Sequence, residues 1–107
     1  CTSLIAAISL HGGVPQALLQ DQGICADSKA PQSVNILSAI TPIAETNGGT
    51  LVLPGSHRFL PDAVRSGRPV GKLPPCINLD APAGCMVITH GQLLHGTGHN
   101  VSMNHAL

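Results

Sequence analysis

Residues 45–58 read ETNGGTLVLPGSHR, from Glu45 to Arg58, and their order decides the fold class. Asn47-Gly48-Gly49 has the chemistry of a hairpin turn that needs positive φ. Thr50–Leu53 is a short β-branched and apolar run, and Pro54-Gly55-Ser56 ends it with a second turn. Turn, strand and turn follow one another too closely for a helical repeat to develop. The same grammar extends in both directions. Candidate strands are Ser3–Leu10, Gln16–Gln20, Ser33–Ile40, Thr50–Leu53, Ile77–Leu79, Cys85–Thr89 and Leu93–Gly96, separated by turn segments such as HGG, APAG and THG. One short helical or irregular crossing is expected over Leu60–Ser66, where Pro61 would suit a first turn. Many short strands joined by glycine-rich turns predict a mainly β sandwich or jelly roll.

Composition excludes several functions. The 107 residues suit one domain, and 43% hydrophobic content supports a folded core. Five basic residues balance five acidic ones and only 9% of residues are charged, so there is no footprint for nucleic acid or acidic lipid. Phe59 is the only aromatic among Phe, Trp and Tyr, which removes the stacking platform of a single-strand binder. Small neutral molecules are the expected partners. The cysteines at 1, 25, 76 and 85 form no C-x-x-C pair and read as free, partly buried thiols. SLIAAISL, Ser3–Leu10, is too short to span a bilayer, and a cytoplasmic protein is the expectation.

Histidine is the chemical signal. Six occur, at 11, 57, 90, 95, 99 and 105. Most histidines in a chain are surface or hydrogen-bonded side chains. His95 stands apart because LLHGTG places it between two leucines and two glycines, as when a strand delivers an imidazole to a crowded site. A second candidate is Asp21, in PQALLQDQG (Pro15–Gly23).

Taken together, ETNGGTLVLPGSHR (Glu45–Arg58), APAGCMVITHGQLLHGTGHN (Ala81–Asn100) and PQALLQDQG in that chain context resemble the second half of the phytanoyl-CoA dioxygenase family. Its members are iron(II)- and 2-oxoglutarate-dependent oxygenases. The resemblance implies a double-stranded β-helix, a cupin-like jelly roll, here incomplete and forming a single partial core over residues 1–107. It also implies Fe(II), 2-oxoglutarate as co-substrate and O2, and oxidation of a C–H bond in a small organic or natural-product substrate. In that family an H-x-D pair and a distant histidine form the metal site. Alternation along a strand puts the first two on one face, and the third completes a facial triad with open positions.

Carried onto this chain, the resemblance assigns Asp21 as the carboxylate ligand and His95 as the distal histidine. The first-histidine position is Leu19, which has no lone pair to offer. His11 is a weak substitute across the turn His11–Pro15, and Gln20 points to the opposite face from Leu19 and Asp21. The same resemblance assigns Gln16, Thr50 and Thr97 to 2-oxoglutarate, although Gln16 also reads as a solvated turn residue and Thr50 as an ordinary strand residue. The family's arginine clamp has no counterpart after Arg68. It is lost or lies beyond Leu107, and an incomplete core with open strand edges admits a homodimer. The competing expectation is a catalytically dead jelly-roll relative that serves as a ligand-binding or assembly module.

Overall fold

The computed structural model describes residues 10–15, 17–21, 33–67 and 71–103. Its elements are strands β1 (Val34–Ser38) and β2 (Thr50–Val52), helix α1 (Ser56–Ser66), and strands β3 (Ile77–Asn78), β4 (Met86–His90) and β5 (His95–Thr97). All strand pairs are antiparallel. One sheet pairs β1 with β4, and the other has the order β3-β2-β5. The chain therefore passes from β1 into the second sheet, returns at β4 and crosses again at β5. This exchange between two sheets is the pattern of a partial jelly roll.

Both ladders extend beyond their named strands. Val34 pairs with His90, and Ile43 still bridges Ala81 in the same register. Val52 pairs with His95, Thr50 with Thr97, and Asn47 with Asn100, again without a slip. Tight turn chemistry holds this register. Gly48 adopts φ 79°, and a Cβ on Gly49 would lie 2.4 Å from the Ala44 carbonyl oxygen, so the Asn-Gly-Gly turn needs glycine twice over.

Three expectations change. The helix begins at Ser56 rather than Leu60, which puts Pro61 in its interior instead of its first turn. The cause is Gly55: at φ 78° its carbonyl accepts the N–H groups of Arg58 (2.9 Å) and Phe59 (3.3 Å), so the PGS turn runs directly into the helix. The strand expected at Gln16–Gln20 is reduced to an isolated bridge at Leu19, downstream of Pro15, which has no N–H for a ladder. The last strand is His95–Thr97 rather than Leu93–Gly96, because Leu93 and Leu94 form the crossing. Leu93 N–H donates to the His90 carbonyl at 2.9 Å, and Leu94 N–H donates to Ser56 Oγ at 2.8 Å. Residues 3–9 of the first expected strand, Gln16 and His105 lie outside the described residues.

Among the described residues the buried apolar core is Ala39, Val52 and Leu53, joined by the buried polar side chains of Ser56, Gln92 and Asn100. Asn100 Oδ1 accepts from Ser102 N–H (3.0 Å) and Ser102 Oγ–H (2.6 Å), while its backbone bonds to Gly12 N–H and the Gly13 carbonyl. It thereby ties the end of the HGTGHN segment to the turn that leads into Leu19 and Asp21. Cys76 and Cys85 carry free thiols. Among the described residues no helix is long and apolar enough to cross a membrane.

Candidate functional site

Strand β5 organises the site. On one side it pairs with β2. On the other, Leu19 and His95 exchange both backbone hydrogen bonds, at 2.8 and 3.0 Å. Residues directly opposed in an antiparallel ladder share a face, and alternate residues along a strand return to it. Leu19, His95 and Val52 therefore form one row, with Thr97 and Thr50 forming the next. Asp21, two residues beyond Leu19, reaches the same face: its Oδ2 lies 3.4 Å from His95 Nε2. The sequence positions 19, 21, 50, 95 and 97 are thus assembled on one side of one sheet.

The His95 ring is oriented by its own backbone. Nδ1 lies 2.9 Å from the Leu93 carbonyl oxygen, which only accepts, so Nδ1 carries the proton and donates. In the neutral ring, Nε2 then presents a lone pair toward the Asp21 carboxylate. A proton on Nε2 bridges these two atoms as an ion pair, and a metal cation between them would do the same. Metal–ligand bonds of about 2.0–2.2 Å place neighbouring donors roughly 3 Å apart, so this spacing fits one divalent ion with a small adjustment. The donor types, imidazole and carboxylate, suit iron(II).

The third donor does not fit. Leu19 occupies the position paired with His95, and among the described residues no group of three or more His, Cys, Asp or Glu side chains gathers. Neither substitute takes its place. His11 Nδ1 is engaged with the Ser102 carbonyl on an exposed surface. Gln20 turns away, donating its amide to the Gln92 carbonyl at 2.6 Å. Among the described residues the site therefore brings together two side chains, Asp21 and His95, that could donate to a metal.

Two features were not legible from motifs. Asn35 on β1 donates from Nδ2 to Asp21 Oδ2 at 2.5 Å, bringing the other sheet to the site. Ser56, read from the sequence only as part of a turn, is fully buried and accepts the Leu94 N–H immediately before His95. Farther off, the rings of His57 and His90 lie 5.0 Å apart at 35°. Burial, then the neighbouring His90 and Arg58, lower the His57 pKa from 6.5. A cavity of about 290 Å³ lies on the opposite face of the β3-β2-β5 sheet, lined by residues including Leu51, Asn78, Glu45 and His99. None of the residues at ligand positions lines it.

The family profile described as Phytanoyl-CoA dioxygenase (PhyH) matches residues 2–105. Dioxygenase FUM3 of Gibberella moniliformis is 32% identical over 104 residues, covering 89% of this chain and 33% of that protein. Multifunctional dioxygenase prhA of Penicillium brasilianum is 33% identical over 72 residues, covering 64% of this chain and 24% of that protein. The chain thus spans between about a quarter and a third of these relatives' lengths. The crystal structure of the non-heme alpha ketoglutarate dependent carbocyclase SnoK from nogalamycin biosynthesis superposes with a TM-score of 0.63 at 18% identity, covering 87% of this chain and 40% of that one. That likeness carries the fold: mainly β, a partial jelly roll.

Proposed function

Because the chain belongs to the phytanoyl-CoA dioxygenase family, we propose that it is the jelly-roll core of a non-haem Fe(II)/2-oxoglutarate-dependent oxygenase acting on a C–H bond of a small organic or natural-product substrate. The observation that carries this reading is the convergence of Asp21 and His95, 3.4 Å apart, on the face that also holds Thr50 and Thr97. Asp21 and His95 would hold the iron. Gln16, Thr50 and Thr97 would contact 2-oxoglutarate. When bound, iron with 2-oxoglutarate and O2 supplies the oxidising power, and the chain supplies position and exclusion of water. His95 contributes an Nε2 held outward by its Nδ1–H bond to Leu93, and Asp21 contributes the opposing negative charge. Val52, buried in the same row, closes that side of the site to solvent. Leu19 impairs metal retention, since it removes an imidazole and fills its place.

Anaerobic titration with Fe(II) and 2-oxoglutarate tests the reading. A metal-to-ligand charge-transfer band, followed by succinate formation under O2, is expected and is strengthened by Leu19→His. Loss of even an outer partner of a ligand weakens a metal by about 10–100-fold, so restoring an imidazole is expected to tighten binding at least that much. No band at millimolar iron in either protein discards the assignment. The specific pairing of Leu19 with His95 favours a second reading, a jelly-roll relative that binds a small ligand without redox chemistry. That reading expects 2-oxoglutarate or another small acid to bind equally with and without iron, and no succinate to form.

A further inference from the structure

The far face of the β3-β2-β5 sheet holds the cavity of about 290 Å³, and its floor follows from register. Thr50 and Val52 face the site, so Leu51 between them faces away, together with its β3 partner Asn78. Along β5 and its continuation the same alternation sends Gly96 and Gly98 to this far face. Neither carries a side chain, so beside Leu51 and Asn78 the sheet offers bare backbone. Glycine in a strand marks a place where a ligand or another backbone comes close. Here Gly98 lines the depression that results.

The rim is braced by hydrogen bonds. Gly12 N–H donates to the Asn100 carbonyl at 2.9 Å and Asn100 N–H to the Gly13 carbonyl at 3.3 Å, which fixes the turn leading to Pro15. Val101 N–H donates to the Thr46 carbonyl at 2.8 Å, so Val101 and Glu45 stand on segments that hold each other. Small-molecule sites combine a preformed, mostly apolar wall with a few polar groups. In this cavity Leu51, Val101 and Pro15 form the wall, and Glu45, Asn78 and His99 supply the polar groups. Among the described residues, no hydrogen bond or ion pair engages the side chains of those three. No lysine or arginine is among the described lining residues to neutralise the Glu45 carboxylate.

We propose that this cavity binds a compact organic ammonium ion. The charge sits on the Glu45 carboxylate and the apolar body lies against Leu51, Val101 and Pro15. A hydroxyl or carbonyl on the same molecule meets Asn78 or His99, whose side chains both give and accept hydrogen bonds. The binding needs neither iron nor the Asp21–His95 pair on the other face.

The probes are cyclohexylammonium and its neutral analogue cyclohexanol, titrated at neutral pH into the unaltered chain and read by NMR through backbone amide shifts. Cyclohexylammonium is expected to shift the amides of Leu51, Asn78, Gly98 and Val101 in the millimolar range. It is expected to bind about two- to fivefold more tightly than cyclohexanol, the difference coming from one exposed ion pair. Glu45→Gln is expected to abolish that preference and leave cyclohexanol binding unchanged. Val101→Lys, at a position 58% exposed, sets a cation at the mouth and is expected to weaken the ammonium in the same way. Equal binding of the two probes overturns the proposal, as does an ammonium preference that survives both substitutions. Shifts scattered over the surface, or no shift at the cavity, overturn it as well.

Discussion

The two sheets share regular antiparallel hydrogen bonding and differ in almost everything else. The β1·β4 ladder keeps register from Val34–His90 to Ile43–Ala81, yet it turns Val34, Ile36, Met86 and Ile88 to solvent on one face. The β3-β2-β5 sheet has strands of only two or three residues and holds the buried Val52, the adjoining Leu53 and the site. Long register is therefore not what organises the chemistry. Burial and a few polar clamps are: Ser56 on Leu94, Asn100 on the Gly12-Gly13 turn, and the Leu19–His95 exchange. Among the described residues, the longer ladder reaches the site through one amide, that of Asn35.

The sharpest way to break this contrast is to shorten one apolar side chain on each side of it. Leu53 is 2% exposed, and Ile88 is 68% exposed. Leu53→Ala leaves a cavity and is expected to lower unfolding free energy by about 2–5 kcal/mol. Ile88→Ala, on the open face, is expected to change it by no more than about 0.5 kcal/mol. Urea titration of both proteins measures the difference. Equal losses would mean that the open face is covered in solution and that the asymmetry between the sheets is not a property of the protein.

A smaller effect is expected at the clamp. Asn100→Ala removes the acceptor for Ser102 N–H and Oγ–H inside a fully buried position. A lost buried polar partner costs about 1–3 kcal/mol. The same urea titration reads it, and a change near zero would mean that solvent replaces the amide and that the end of β5 is held by backbone alone.

How much of this was legible in the sequence depended on whether the cause was local. Thr50–Val52, Val34–Ser38 and Met86–His90 could be read because β-branched runs are bounded by turn residues. The start of α1 was hidden, because PGS reads as a turn and only the φ of Gly55 shows that its carbonyl also opens the helix. Leu93 and Leu94 look like strand, but a tertiary bond from Ser56 assigns them to the crossing. At the site, period-two spacing puts 19 and 21 on one face, and the resemblance supplies 95. Their meeting, with Leu19 directly opposite His95, is a matter of register that no local pattern encodes. Asn35 was invisible for the same reason: its partner lies on another strand-like segment, and nothing in VNILS marks an asparagine that points inward.

The smallest expected effect lies where the sheets join. His57 on α1 and His90 at the end of β4 stack beside the crossing into β5. His57 Nδ1 is buried without a hydrogen-bond partner among the described residues, and burial is the main cause of its lowered pKa, with His90 and Arg58 adding repulsion. The direction of the pH effect follows. Above 6.5, the ordinary value, His57 is neutral whether the chain is folded or not, and it adds no pH dependence. As pH falls below 6.5 the unfolded chain takes up this proton first, so the folded state loses stability until the lowered folded pKa is passed. Urea midpoints measured downward from pH 7 are expected to decline in the parent and to decline less in His57→Gln, which cannot titrate. If the two slopes coincide just below 6.5, the junction between the sheets is open enough to accept the charge, and His57 belongs with the exposed ladder rather than with the buried sheet.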